Sequence, residues 1–215
     1  MKTLIAIPCM DFCHTDFLRA LLGLEVSGEV QYSFAQGSLV YDGRNALAAV
    51  ALEGNFDRVL WLDSDMIFEP SMLKRMHEHL DMGKELVAGL YFSRRPPVHP
   101  VIYKTLYSRV EAEGRVSGVA DCYTDYPRDE IFPIKACGFG GVLMTTELIR
   151  RVQDAFGQPF APLPGFGEDL SFCARATEVG AELWCDSSIK LGHVGLTVYD
   201  EESFRAVSGS NTAQA

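Results

Sequence analysis

The sequence predicts an α/β fold, with a mostly parallel central sheet flanked by helices. Short, continuous apolar runs such as residues 3–7 recur along the first half of the chain and alternate with segments of helical periodicity. Such runs are typical of parallel strands that are buried on both faces. The chain has 215 residues, of which 47% are hydrophobic, so it can bury the core of one domain.

The first part of the chain is predicted to hold successive β-α units. The expected strands cover residues 3–7, 30–34, 59–62 and 86–92. The expected helices follow Thr15, Asp42 and Pro70, residue types that commonly begin a helix. Crossovers of this kind place the strands parallel, and ligands of open α/β sheets bind at the carboxyl ends of the strands.

The second part of the chain reads as a smaller, β-containing half. Pro-rich turns and short β-like pieces extend from residue 94 to about 133, and residues 134–144 form a strand-like segment around glycines. An amphipathic helix is expected to end near Gly157, another to start at or beside Asp169, and strands at 182–185 and 189–191 to close the fold. We expect one domain over residues 1–205, with halves 1–93 and 94–205, and a flexible C-terminal tail at 206–215.

Charge and composition exclude several classes of protein. The formal net charge of -10 disfavours nucleic-acid and anionic-membrane partners. The apolar run at residues 3–7 is too short to span a membrane and stops at Pro8, so we expect no membrane partner and a cytoplasmic location. The six cysteines are expected to be reduced thiols, because a chain this large and apolar needs no disulfide framework to fold. Cys9 and Cys13 are not expected to hold zinc, because no second close Cys/His pair with finger-like spacing follows.

Two carboxylates, Asp63 and Asp65, follow the expected strand at residues 59–62. Spaced two apart in extended backbone, they can point to the same side and converge on one divalent cation. Loop carboxylates also serve as ordinary turn residues, so this pair alone does not decide between the two interpretations.

Four segments together resemble a known family. They are Val-Leu-Trp-Leu followed by Asp63-Ser64-Asp65, the glycine-rich segment 137–144, the pair Glu168-Asp169, and His193 after a closing strand. In order and spacing they resemble the GT-A-type glycosyltransferases, in particular small, stand-alone, family 2-like members with a DxD motif. The resemblance covers residues 3 to about 195.

The resemblance implies a single Rossmann-like GT-A domain with a nucleotide-binding half at 1–93 and an acceptor and catalytic half at 94–205. It implies transfer of a sugar from a nucleoside-diphosphate sugar, with a UDP-sugar slightly favoured, to an acceptor hydroxyl. The metal would be held by Asp65 directly, by Asp63 directly or through water and ribose, and by His193. An imidazole ligand favours Mn²⁺ over Mg²⁺, although either ion suits the carboxylates.

The same resemblance assigns the catalytic residues. Asp169 is expected to be the general base that takes the proton of the acceptor hydroxyl, a geometry that implies inversion at the anomeric carbon. Glu168 is the alternative base. Helix capping and dipole stabilisation would also explain an acidic pair where a loop enters a helix.

Further donor contacts are expected from Asp11, Arg44 and Ser64. Asp11 lies in the loop after the first strand, where it can accept a hydrogen bond from a uracil-like ring. Arg44 belongs to an Arg-Asn pair that resembles one in small GT-A relatives and would reach the nucleotide or the DxD loop. As alternatives, Asp11 is a surface turn residue and Arg44 an exposed helix charge.

Glycines and arginines complete the candidate site. Gly140 and Gly141 would let the backbone approach the sugar or acceptor closely, unless they mark only a strand bend or bulge. Arg94-Arg95 is a compact basic spot beyond a strand end, and guanidinium groups bind phosphate well, although a solvated charge pair is the alternative.

The sequence is also compatible with other functions. A nucleotidyltransferase could use the same metal, but residues 8–13 contain neither the glycines nor the basic residues of a phosphate-binding loop. A non-catalytic nucleotide-sugar-binding protein would not need Asp65, His193 and Asp169 together. The acceptor is a glycan, a small molecule, a protein or a modified DNA base, and neither acceptor nor oligomeric state follows from the sequence.

Overall fold

The computed structural model describes residues 1–10, 12–37, 39–195 and 198–205. The strands are β1 (Lys2–Cys9), β2 (Glu29–Gln36), β3 (Arg58–Leu62), β4 (Met66–Phe68), β5 (Leu86–Leu90), β6 (Ile102–Tyr103), β7 (Tyr107–Val110), β8 (Val116–Val119), β9 (Ile131–Ile134), β10 (Ala136–Cys137), β11 (Gly141–Thr145), β12 (Leu183–Val194) and β13 (Val198–Tyr199). The helices are α1 (Thr15–Leu22), α2 (Val40–Glu53), α3 (Met72–Asp81), α4 (Thr146–Phe156) and α5 (Glu168–Glu178), and a 3₁₀ turn covers Ala112–Gly114. The α/β fold class predicted from the sequence is confirmed.

The central sheet has the strand order β13-β12-β5-β11-β3-β1-β2. Strand β1 pairs in parallel with β2 and β3, and β5 pairs in parallel with β12. Strand β11 is the exception, because it lies between β3 and β5 and runs antiparallel to both. Five long strands therefore share one direction, and β11 begins at the edge where these strands end.

Both faces of β1, β3, β5 and β11 are covered, which explains their continuous apolar runs, whereas the edge strand β2 is largely exposed. Successive side chains of a strand point to opposite faces. Leu4 and Ala6 of β1 pack into one buried cluster with residues of α2, α4 and α5, whereas Ile5 and Ile7 pack into a second cluster with residues of α1 and α3. A strand between two helical layers has no solvent face, and so it shows no alternation.

The predicted helices exist, and α5 begins at Glu168, beside Asp169, as predicted, but the starts of α1, α2 and α3 differ from the predictions. The N-cap of α1 is His14, whose ring Nδ1 accepts a hydrogen bond from the Asp16 N–H at 3.2 Å, and not Thr15. Asp42 does not cap α2, since this helix begins at Val40 and Asp42 lies in its first turn. Helix α3 begins at Met72, two residues after Pro70.

The two predicted closing strands are one strand, β12, with a register irregularity between Asp186 and Lys190. Polar residues at this irregularity interrupt the apolar pattern in the sequence. The carboxylate of Asp186 is buried and bonded to His79 of α3 at 2.8 Å and to the Ser188 N–H at 2.8 Å. These bonds satisfy the polar groups and let the chain continue as a strand.

The second half of the chain builds smaller β structure beside the sheet, as predicted. Strands β6 and β10 form one two-stranded sheet, β7 and β8 form another, and β9 pairs with β12. The predicted tail at 206–215 lies outside the described residues. None of the helices in the described part of the chain combines the length and the apolar character that crossing a bilayer requires.

Candidate functional site

A cleft of about 280 Å³ opens where the parallel strands end. Its walls are formed by Pro8, Cys9, Met10, Ala35, Leu39, Val40, Gly43, Arg44, Asp63, Ser64, Asp65, Tyr91, Arg94, Phe139, Glu168, Asp169 and His193. The structure thus brings together Arg44, Ser64, both carboxylates of the DxD segment, the Glu168-Asp169 pair and His193. Asp11, the predicted contact to the base, lies outside the described residues.

Arg44 joins two acidic segments that are far apart in the sequence. Its Nη2 donates to Asp63 Oδ1 at 2.8 Å, and its Nε donates to Glu168 Oε1 at 3.1 Å. The side chain is only 2% exposed, so the alternative of an exposed helix charge is wrong. Arg44 reaches the DxD loop, as the resemblance implied.

Aromatic rings and carboxylates around Arg44 stabilise its positive charge. The guanidinium carbon lies 5.4 Å from the ring centre of Phe139 and 5.7 Å from that of Trp61. Burial lowers the pKa of Arg44, but the negative charges of Asp63, Glu168 and Asp169 outweigh burial and raise the pKa above its ordinary value. Among the described residues its buried Nη1 has no hydrogen-bond partner.

Asp65 and His193 are brought together by strand pairing. Strands β4 and β12 are antiparallel with Met66 opposite His193, and the Val194 N–H donates to the Asp65 carbonyl at 2.8 Å. The distance from His193 Nε2 to Asp65 Oδ2 is 3.5 Å. His193 therefore lies within the end of β12, not after a closing strand as predicted.

The other ring nitrogen of His193 fixes its tautomer. Nδ1 lies 2.9 Å from the Phe92 carbonyl oxygen, which can only accept, so Nδ1 carries a hydrogen. Nε2 then faces the carboxylate of Asp65. Burial lowers the pKa of His193, but the hydrogen bond and charge of Asp65 outweigh burial and raise the pKa above its ordinary value.

Arg94 contacts the same carboxylate oxygen. Its Nη1 donates to Asp65 Oδ2, and its side chain is 46% exposed. Burial raises the pKa of Asp65, but the hydrogen bond and charge of His193, together with the charge of Arg94, lower the pKa below its ordinary value. Arg94 and His193 thus both approach the Oδ2 atom of Asp65.

The residues present fit a divalent cation in part. Two ligands that each lie about 2.1 Å from one ion are roughly 3 to 4 Å apart, and Asp65 Oδ2 and His193 Nε2 meet this condition at 3.5 Å. A ligating histidine usually donates its second ring N–H to a carbonyl or carboxylate, as His193 does to Phe92.

The predicted third metal ligand, Asp63, is turned towards Arg44 instead. Within the described ranges no group of three or more His, Cys, Asp or Glu residues could hold a metal by itself. A bound phosphate would therefore have to supply ligands alongside Asp65 and His193, as it does in many magnesium sites.

Glu168 and Asp169 begin α5 but have different surroundings. Gly167 is the N-cap, so neither carboxylate fills that position. Glu168 is bonded to Arg44, whereas Asp169 Oδ1 accepts from the Leu170 N–H at 2.7 Å. Burial and the neighbouring charge of Glu168 raise the pKa of Asp169 to about 6. A carboxyl group with this pKa can take up a proton near neutral pH.

Gly140 and Gly141 do not line the cleft, which corrects the prediction that they contact the sugar. A Cβ at Gly140 would lie 3.0 Å from Tyr91 Cζ, and one at Gly141 would lie 2.5 Å from Leu191 Cδ2. The close approach that these glycines allow is to protein side chains. Gly140 acts on the site through its carbonyl, which accepts from the Asp63 N–H at 3.3 Å.

Tyr91 lines the cleft and was missed by the sequence analysis. Its ring packs edge-on against His193 with centres 5.6 Å apart, and its hydroxyl oxygen accepts from the Gly140 N–H at 3.3 Å. Burial and the charges of Asp63 and Asp169 raise its pKa well above the ordinary value. Its place just after β5, at the carboxyl end of a parallel strand, was the available signal.

No protein-family model matches the sequence, and a search of curated proteins finds no significant match. Among solved structures, the chain resembles one described as the crystal structure of A197 from STIV, with a TM-score of 0.64 and 18% sequence identity. The match covers 91% of this chain and 86% of that one. At this identity the likeness shows the fold alone.

Replacing Arg44 should test its role as the bridge between Asp63 and Glu168. Arg44→Met leaves two carboxylates in the cleft without their cation, which is expected to lower the free energy of unfolding by about 3–5 kcal/mol. Arg19→Met is the control, because the ion pair of Arg19 with Asp16 is exposed and worth less than about 1 kcal/mol. Urea unfolding measures both, and equal losses would contradict the bridge.

The raised pKa of Asp169 predicts a pH-dependent stability. Between its ordinary pKa near 4 and the folded value of about 6, the folded protein holds a proton that the unfolded chain has released. This contribution to stability is full below about pH 4 and is lost as the pH rises through about 6. Asp169→Asn should therefore gain about 2–3 kcal/mol relative to the unmodified protein between pH 4 and pH 7.

Urea unfolding at several pH values measures this gain. Asp154→Asn, at an exposed position of α4, controls for the loss of one carboxylate. A stability difference for Asp169→Asn that is the same at every pH would contradict the raised pKa.

Proposed function

We propose that this protein is a metal-dependent glycosyltransferase that moves a sugar from a nucleoside-diphosphate sugar to an acceptor hydroxyl with inversion. One observation carries the proposal: the Asp65-His193 pair and the raised-pKa carboxylate of Asp169 line the same cleft at the carboxyl ends of the strands. A cation position and a proton acceptor around one cavity are the two groups that this reaction needs.

The donor side of the cleft contains Asp65, His193 and Ser64. Asp65 and His193 would hold Mn²⁺ or Mg²⁺, which when bound supplies positive charge to the departing diphosphate. The distance of 3.5 Å between their facing atoms and the hydrogen bond from His193 to Phe92 support this assignment. Asp63, which is bonded to Arg44, would contact ribose or a metal-bound water.

Asp169 is the proposed general base. In the reaction the acceptor oxygen forms a bond to the anomeric carbon while the bond from that carbon to the diphosphate oxygen breaks, and the hydroxyl proton passes to a carboxylate oxygen of Asp169. Its pKa of about 6 leaves Asp169 ionised at neutral pH yet basic enough to accept the proton. Glu168 is a weaker candidate, since its carboxylate is bonded to Arg44.

A binding screen with UDP-, GDP-, CMP- and dTDP-sugars tests the donor class. One of them should bind in the presence of Mn²⁺ and be hydrolysed slowly, and binding should be lost on chelation. Asp65→Asn should abolish the Mn²⁺-dependent part of this binding, because it removes the anionic ligand of the ion. Asp169→Asn should keep this binding and lower the transfer or hydrolysis rate by about 10²-fold or more.

Calorimetry and release of the free nucleotide provide the two measurements, and Asp154→Asn again serves as the control. No metal-dependent binding of any sugar nucleotide would exclude the proposal. Binding without turnover would favour the non-catalytic alternative, and turnover of a nucleoside triphosphate with a sugar phosphate would favour a nucleotidyltransferase.

A further inference from the structure

Arg94 occupies an anchored loop beside the cleft. It follows β5, and the Ser93 N–H donates to the His99 carbonyl at 2.9 Å, while the His99 N–H donates to Ser93 Oγ at 3.1 Å. These two bonds close the base of the loop. Phe92, whose carbonyl holds His193, lies two residues before Arg94. The backbone of Arg94 is thus held near the proposed cation position, and its long side chain is half-exposed.

Arg94 and His193 converge on one oxygen atom. Arg94 Nη1 donates to Asp65 Oδ2, and His193 Nε2 lies 3.5 Å from the same atom. A divalent cation between Asp65 and His193 would need this oxygen and would repel a guanidinium beside it. Arg94 and a cation therefore exclude each other at Asp65.

Displacing Arg94 from Asp65 by a cation should cost little free energy. An ion pair with a side chain that is 46% exposed gains little net free energy, because water and salt screen it. Arg94 can therefore leave Asp65 when a cation of higher charge arrives. A diphosphate in the same cleft would offer the displaced guanidinium new, charge-assisted hydrogen bonds.

We propose that Arg94 occupies the cation position while the cleft is empty and moves to the donor diphosphate when the metal and nucleotide bind. This rests on the proposed function. Arg94 would then weaken the binding of metal alone and strengthen the binding of the diphosphate in the presence of metal. Through this one side chain the two ligands would bind cooperatively.

The two effects have opposite signs in one variant. In Arg94→Met, Mn²⁺ should bind about 3–5-fold more tightly without nucleotide, because Asp65 is released from its ion pair. The same variant should bind UDP or GDP about tenfold more weakly in saturating Mn²⁺, because one guanidinium-phosphate contact is lost. Arg94→Lys should restore part of both effects.

Electron paramagnetic resonance of free Mn²⁺ measures the first effect, and calorimetry with UDP and GDP measures the second. Arg19→Met removes an exposed arginine of α1 whose ion-pair partner is Asp16; neither residue lines the cleft, so this variant should change neither affinity. Circular dichroism confirms that each variant is folded.

Each result has a definite consequence. Tighter Mn²⁺ binding together with weaker diphosphate binding in Arg94→Met supports the exchange. Unchanged or weaker Mn²⁺ binding overturns it, as does unchanged diphosphate binding. If neither UDP nor GDP binds the unmodified protein, the transfer to diphosphate is overturned along with the donor class. Tighter Mn²⁺ binding in the variant would then still support the displacement of Arg94 from Asp65.

Discussion

The buried charge of Arg44 is the constraint on which the site depends. A guanidinium that is 2% exposed would cost several kcal/mol to bury without partners. Asp63, after β3, and Glu168, at the start of α5, supply the two carboxylates that neutralise it. Helix α2, the end of β3 and the start of α5 must therefore meet at one point, although 124 residues separate Arg44 from Glu168. The cleft forms around this meeting point.

The ion pairs of Arg44 also separate the acidic residues of the cleft into two groups. Asp63 and Glu168 are bonded to the buried Arg44, whereas the arginine partner of Asp65 is the half-exposed Arg94. Asp65 and Asp169 are therefore the carboxylates that we propose act on ligands. Pairing of β4 with β12 sets Asp65 beside His193, and burial beside Glu168 raises the pKa of Asp169. The proposed cation position and the proposed base thus occupy separate parts of one cleft, and each DxD carboxylate has a different partner.

Much of the fold could be predicted from local sequence patterns, because a strand covered on both faces must be apolar throughout. Glu168, Asp169, Asp65 and His193 were found through short motifs, and the structure gathers them in one cleft. Contacts between residues that are far apart in the sequence could not be predicted. The order of β11 between β3 and β5, the ion pair of Arg94 with Asp65 and the packing around the glycines depend on tertiary contacts that no local pattern contains. The predicted starts of the first helices were wrong for a related reason. The ring of His14 caps α1, where a threonine was expected to do so.

A crystal structure of the protein with Mn²⁺ and a nucleoside diphosphate tests the central claim most directly. We predict an anomalous manganese signal between Asp65 and His193, with phosphate oxygens completing the ligands and Asp63 still bonded to Arg44. A manganese ion bound elsewhere, or an Asp63 carboxylate that leaves Arg44 to become the principal ligand in place of Asp65, would contradict it.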